Sequence, residues 1–205
     1  MNTLKVKQLS IQEIVNSLKL KLSFELKAGE CLTVNGPSGL GKSMLLKAIA
    51  DILPHTGEIS LDNITAQQFP APEWRRKVML VPAESQWWFE TVAEHFNKPK
   101  SIDFKILGFS NDILKRDIHH LSSGEKQRLS LLRALQYNPE VLLLDEPTAN
   151  LDKKNTAVVE SIVKDFISDF KHAVLWVGHD IEQLKKISKR TIKLNAETAQ
   201  EVSWT

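Results

Sequence analysis

The chain has 205 residues, 42% hydrophobic and 25% charged, a size and balance that suit one globular α/β domain and exclude a mostly disordered chain. Lys and Arg number 27 against 25 Asp and Glu, so the net charge of +2 offers no electrostatic footprint for a nucleic acid. Cys31 is the only cysteine, which excludes an internal disulfide; it sits in the apolar run Cys31-Leu32-Thr33-Val34 and reads as core filling. No segment reaches the ~18 apolar residues needed to span a bilayer. The alternating N-terminus, Met1 to Lys7, is not a signal peptide. The expected location is the cytoplasm, with any membrane association made through a partner.

In chain order, Leu4 to Leu9 alternates and predicts a half-buried strand. Leu18 to Leu26 does the same, with Leu18, Leu20, Leu22, Phe24 and Leu26 on one face. Lys27-Ala28-Gly29-Glu30 is a turn. Cys31 to Asn35 is a short apolar strand, followed by a Gly-rich loop and a helix from about Lys42 to Ile52, which Pro54 to Gly57 breaks. Glu58 to Leu61 and Lys77 to Val81 read as strands, and Arg75-Arg76-Lys77 as a solvated run. Residues 84–120 hold Trp87, Trp88, Phe89, Phe96, Phe104 and Phe109 with weak periodicity, and predict a small, mainly helical insertion. A helix over Ser123 to Gln136 carries Leu129, Leu132 and Leu135 at helical spacing. Val141 to Leu144 is a fully apolar strand, Asn155 to Phe170 is amphipathic, and Ala173 to Val177 is another buried strand. Strands alternating with helices imply a parallel sheet with crossover helices, whereas the first ~30 residues look like an antiparallel edge.

Gly36-Pro37-Ser38-Gly39-Leu40-Gly41-Lys42-Ser43 matches the phosphate-loop pattern G-x-x-x-x-G-K-[ST], with the required strand before it and helix after it. The glycines let backbone N–H groups turn inward around a phosphate, and the helix N-terminus adds a positive dipole. Lys42 reaches for the β- and γ-phosphates, Ser43 offers its hydroxyl to Mg²⁺, and Met44 continues the site into the helix. By itself this motif identifies only a nucleotide-binding protein, because small-molecule kinases, GTPases and motor ATPases share it.

Three further motifs narrow the choice. The strand at 141–144 ends in Asp145 and Glu146, which in a parallel sheet lie beside the phosphate loop. Asp145 is placed to organise Mg²⁺ and Glu146 to orient or deprotonate an attacking water; a helix cap after the strand is the plainer alternative for the pair. Leu121-Ser122-Ser123-Gly124-Glu125 opens a helix, either as a simple cap or as a second anion site made of hydroxyls and free N–H groups. His179 follows a buried strand and is placed to donate a hydrogen bond to a γ-phosphate.

Together these residues resemble the ABC (ATP-binding cassette) ATPase family. Residues 36–43 resemble its Walker A motif, 121–125 its LSGGQ signature, Leu142 to Glu146 its Walker B strand with the catalytic glutamate, Ala149-Asn150-Leu151-Asp152 its D-loop, and His179 its switch histidine. The resemblance covers nearly the whole chain in the right order. It implies a P-loop NTPase with a RecA-like core, an antiparallel β subdomain and a helical subdomain over roughly 84–135, all within one domain over 1–205. It further implies ATP and Mg²⁺ as cofactors, with Lys42, Glu146 and His179 catalytic. Two subunits would pair head to tail, so that Ser122, Ser123 and Gly124 of one meet the γ-phosphate held by the other's Lys42. The expected partner is a separate membrane permease, which would hold the chain on the inner face of the membrane. The wording around the shared motifs is similar to small bacterial ATPases linked to iron export. The alternative from another class is a soluble ABC ATPase of DNA repair or translation, disfavoured because such proteins usually carry long coiled-coil insertions or two cassettes. A P-loop kinase is disfavoured by the signature and by a glutamate placed for water.

The sequence departs from the family pattern at several positions. Val81-Pro82 leads into Ala83 where a glutamine is usual, leaving Glu84 and Gln86 as candidates for its role. No aromatic precedes Phe24 to stack on adenine, Ile11 standing near that point, which predicts weak base discrimination. Ser123 replaces glycine and Glu125 replaces glutamine in the signature. The cluster Trp87-Trp88-Phe89 reads either as core or as a groove for a helix of the membrane subunit.

Overall fold

Val141-Leu142-Leu143-Leu144 and Ala173-Val174-Leu175-Trp176-Val177 are apolar at every position. A strand with no polar face must be covered on both sides, which places it inside a parallel sheet flanked by helices. The computed structural model, which describes residues 3–10, 21–99, 102–168, 171–196 and 198–204, has that architecture. Its strands are β1 (Thr3–Ser10), β2 (Lys21–Lys27), β3 (Cys31–Asn35), β4 (Thr56–Leu61), β5 (Ile64–Thr65), β6 (Val78–Val81), β7 (Val141–Asp145), β8 (Ala173–Val177), β9 (Arg190–Leu194) and β10 (Ala199–Ser203). Its α-helices are α1 (Lys42–Ile49), α2 (Ala71–Lys77), α3 (Ser123–Leu135), α4 (Lys153–Ile167) and α5 (Ile181–Ile187).

Two sheets result. One is antiparallel, in the order β2-β1-β4-β5, and the other runs β10-β9-β3-β8-β7-β6 with β10 alone antiparallel to its neighbour. The expected mixed α/β fold with an antiparallel edge is therefore present. The part of the second predicted strand that lies before Lys21, including Leu18 and Leu20, and the adenine-side position Ile11 fall outside the described residues.

Side chains alternate across the parallel sheet, so it separates two cores. On one face Leu32, Val34, Leu143, Leu175 and Val177 meet α1, β2 and β4; on the other Cys31, Leu142, Leu144, Val174 and Trp176 meet α3, α4 and the segment 92–121. Burial pushes the Cys31 thiol far up, in keeping with a core filler. Trp74 is fully buried and donates its indole N–H to the Ile49 carbonyl at 2.9 Å, anchoring α2 beside α1.

Several boundaries move for local reasons. Helix α1 stops at Ile49 rather than Ile52, because Asp51 turns left-handed (φ 56°). Helix α4 starts at Lys153, since the Asp152 carboxylate caps it by accepting from the Asn155 N–H at 2.8 Å. Residues 84–120 hold short 3-10 turns, and the next α-helix begins only at Ser123. The run Arg75-Arg76-Lys77 is not wholly solvated: Arg75 donates to the Asp51 carbonyl and Lys77 pairs with Glu140 at 2.5 Å. Trp87 packs against the second core, whereas Trp88 and Phe89 stay exposed (63% and 47%).

Candidate functional site at the carboxyl edge of the parallel sheet

Strands β3, β8, β7 and β6 run parallel, so the segments that leave them emerge at one edge: Gly36 after β3, Gly178 and His179 after β8, Glu146 after β7, and Pro82 after β6. Ligands in open α/β sheets bind at this edge.

The loop after β3 is held open by its glycines. A Cβ on Gly36 would lie 2.5 Å from the Leu194 carbonyl oxygen, so β9 excludes any side chain there. Gly41 (φ 76°) is the residue before α1, and its left-handed backbone aims the first helical N–H groups into the loop. Lys42 is buried (6% exposed) and donates to the Gly36 and Pro37 carbonyls at 2.8 and 2.9 Å. Burial lowers the ammonium's pKa, against the opposing pull of Glu146 and Asp145. Pro37, Ser38 and Gly39 stay exposed, with Leu40 and Met44 half-buried behind them.

Asp145 ends β7 at 5% exposure. Burial raises its carboxyl's pKa, against a hydrogen bond from Ser43 and the pull of Lys47 and Lys42. Its Oδ1 is buried without a hydrogen-bond partner. A hydroxyl and a carboxylate with a spare oxygen form a hard-oxygen donor pair, which fits Mg²⁺.

Glu146 adopts φ 48°, a left-handed conformation that costs a non-glycine residue of order 1–3 kcal/mol. Its N–H donates to the Val177 carbonyl at 3.0 Å, and its Oε1 lies 2.7 Å from His179 Nε2. A Cβ on Gly178 would sit 3.0 Å from the Leu184 side chain and 3.3 Å from the Trp176 indole nitrogen, tight contacts that those side chains would have to relieve.

Thus Lys42, Ser43, Asp145, Glu146 and His179 share one edge, as the motifs predict. Residues 122–124 instead rest against the turn after β7. A Cβ on Gly124 would lie 2.8 Å from the Asn150 carbonyl oxygen and 3.1 Å from Leu151. Ser122 caps α3: its Oγ accepts from the Glu125 N–H at 3.2 Å, while its own N–H donates to Glu125 Oε2 at 2.8 Å. Burial works against the Glu125 carboxylate, but bonds from Ser122 and Arg116 outweigh it and hold its pKa low. The glutamate that departs from the family pattern therefore completes a capping box. Ser122 and Ser123 themselves remain exposed.

At the missing-glutamine position, Ala83 is half-buried, and Glu84 and Gln86 are exposed. The Gln86 carbonyl accepts from Arg133 at 2.9 Å. Sequence reasoning missed Thr148, Glu160, Gln183 and Lys186, which join into a hydrogen-bonded chain beside Glu146 and His179. The available signal was Asp180 before Ile181, Leu184 and Ile187, a helix cap ahead of helical spacing.

The sequence matches the ABC transporter family over residues 20–149. It is 34% identical to a probable iron export ATP-binding protein, FetA, of Escherichia coli (strain K12), covering 82% of this chain and 80% of that protein. It is 37% identical to a molybdate/tungstate import ATP-binding protein, WtpC, of Methanocaldococcus jannaschii, covering 95% of this chain and 68% of that one. Among solved structures, an ATP-binding cassette caught as a dimer in a post-hydrolysis state with ADP and Pi aligns with a TM-score of 0.78 at 26% identity, over 99% of this chain and 98% of the other. An ATP-binding subunit of an ABC transporter aligns with a TM-score of 0.82 at 22% identity, over 98% and 89% of the chains, and confirms the fold. The phosphate loop, the paired carboxylates and the histidine on one sheet edge agree with these likenesses: the chain belongs to the ABC transporter family, as an ATP-binding subunit that hydrolyses ATP.

Proposed function

We propose that this subunit powers export of a metal, iron being the leading candidate, through a separate membrane permease, and that two copies close head to tail around ATP. The observation that carries the catalytic part is the convergence of Lys42, Asp145, Glu146 and His179 on one sheet edge. Lys42 and the loop 36–43 bind the phosphates, with Met44 behind them. Ser43 and Asp145 would hold Mg²⁺, which supplies charge neutralisation on the phosphates when bound. Glu146 orients the attacking water and accepts its proton, and His179, beside it, donates to the γ-phosphate.

The partner copy would contribute Ser122, Ser123 and Gly124. The exposure of Ser122 and Ser123 supports this, because an N-cap hydroxyl with open N–H groups suits a phosphate. The dimeric structure of a related cassette with ADP and Pi supports a dimer of two such subunits. Among the described residues no helix is long and apolar enough to cross a membrane. Attachment at the membrane's inner face would therefore come from the permease, for which exposed Trp88 and Phe89 are suited anchors. The iron assignment is supported by the likeness to FetA; relatives named for import keep the direction a proposal.

The test is Glu146→Gln. With ATP and Mg²⁺, the variant should bind nucleotide, lose hydrolysis on the order of 10²-fold or more, and elute as a dimer in gel filtration. Hydrolysis at the wild-type rate would remove Glu146 from its role. For the cargo, cells expressing the chain with its co-purifying permease should retain less iron. Unchanged iron content would refute that assignment.

A further inference from the structure

We propose that Gln183 is a positioning residue for hydrolysis: its side-chain amide ties Thr148 to α5 and so sets the Glu146–His179 pair. This rests on the reading of Glu146 and His179 given above.

Two segments leave neighbouring strands here, 146–148 after β7 and 179–183 after β8. They are joined twice. His179 Nε2 meets Glu146 Oε1 at 2.7 Å, and the Thr148 hydroxyl donates to Gln183 Oε1 at 3.0 Å. The orientation of the Gln183 amide is forced. Its Nε2 donates to Glu160 Oε1 at 2.9 Å, and a carboxylate can only accept, so the carbonyl end must face Thr148. Glu160 lies in α4 at 5% exposure, and its second oxygen takes Lys186 Nζ at 2.5 Å. Both carboxylate oxygens are thus engaged, and the buried charge is compensated.

The backbone of Gln183 is fixed as well. Asp180, next to His179, caps α5 by accepting from the Glu182 and Gln183 N–H groups at 3.0 and 3.1 Å. One residue therefore holds the His179 flank through the cap and the Glu146 flank through Thr148.

The pair needs such a clamp. Glu146 sits at positive φ, and the side chains of Glu146 and His179 are 30% and 44% exposed. They border an open cleft of about 580 Å³ that Thr148, Glu160 and Gln183 also line. Packing alone does not immobilise side chains exposed to that degree, whereas a displacement near 1 Å can cost a reaction ~10²-fold.

The experiment uses the full chain with Mg-ATP and measures kcat, KM, nucleotide affinity and thermal midpoint for Gln183→Leu, Thr148→Val, the double variant and Thr148→Ser. The expected result is a fall in kcat of about 10-fold in each of the first two, with KM and affinity within twofold. The double variant should be no slower than Gln183→Leu alone, which already lacks the Thr148 bond together with the one to Glu160. Thr148→Ser, which keeps the hydroxyl, should restore most of the rate. Thr148→Val is near-isosteric and carries the test even where Gln183→Leu perturbs folding. Unchanged kcat, additive losses, or a joint loss of kcat, KM and stability would overturn the proposal. Glu146→Gln run in parallel separates the two readings. If it hydrolyses normally, the role of Glu146 fails. If it is silent while Gln183→Leu is fully active, only the positioning role fails.

Discussion

Replacing Asp145 with Asn should make the protein more stable and less able to hydrolyse ATP. Asp145 is 5% exposed and its Oδ1 has no hydrogen-bond partner, so the ionised carboxylate loses hydration that the fold only partly replaces. Asn has nearly the same shape, can still accept from Ser43 and carries no charge. Leaving a buried group unpartnered costs about 1–3 kcal/mol when neutral and more when charged; the Asn Nδ2 takes the unpartnered place of Oδ1, so the substitution recovers only the excess, about 1 kcal/mol, and for a chain of this length 1 kcal/mol moves the midpoint by roughly 2–4 °C. The Asn variant should therefore melt roughly 2–4 °C above wild type at neutral pH without nucleotide. Burial raises the folded-state pKa of Asp145 above its ordinary 3.8, so the folded protein holds that proton more tightly than the unfolded chain. The wild type accordingly sheds its handicap as pH falls through the raised value, whereas Asn does not titrate. The gap should be widest at neutral and alkaline pH and should narrow on acidification. Calorimetry or circular dichroism across pH 4.5–8 checks this, beside a Mg-dependent ATPase assay in which the variant should be nearly inactive. A variant less stable than wild type at every pH would refute the reasoning, because Ser43, Lys42 and Lys47 would then compensate the charge in full.

Gly124→Ala should cost about 1–3 kcal/mol, since its Cβ would lie 2.8 Å from the Asn150 carbonyl and must push the turn 149–152 aside; ATP turnover should fall while nucleotide binding, measured by fluorescence titration, stays near wild type. His95 accepts the Trp88 and Phe89 N–H groups at Nε2, both at 3.1 Å, and burial, with Arg133 adding to it, holds its pKa below the ordinary 6.5 despite the bond to Thr91. That contribution to stability is full above pH 6.5 and is lost as pH falls toward the lowered value, so His95→Gln should flatten the pH dependence of the melting midpoint below 6.5; an unchanged slope would exclude His95. Because no aromatic precedes Phe24, ATP and GTP should bind with similar affinity, and a large preference for ATP in competition titration would count against an aliphatic base contact.

How far the chain is legible follows from how local each signal is. The strands β3, β7 and β8 announce themselves because uninterrupted apolar runs have only one stable place, and the phosphate loop because its glycines and lysine are contiguous. The cap of α3 is visible in Ser122 and Glu125 for the same reason. Elements α2, α5, β9 and β10 escape the sequence reading, being short, or held by a cap or by a neighbouring strand rather than by a long periodic face. In residues 84–120 the aromatics suggest helical packing, yet the backbone there folds into short 3-10 turns, and the loop before the first of them is held by His95, whose ring takes three backbone partners between Trp88 and Thr91.

The amino-acid order alone determined the phosphate-loop pattern at 36–43, the carboxylates at the end of a buried strand, and the histidine at the end of another. These are properties of neighbours along the chain, and local sterics and hydrogen bonding are enough to write them. Only the folded molecule decided that Leu194 backs Gly36, that Asn150 backs Gly124, and that Gln183 joins Thr148 to Glu160. Those partners lie in different elements, and their meeting depends on the strand order and register of the parallel sheet, which no stretch of neighbouring residues encodes.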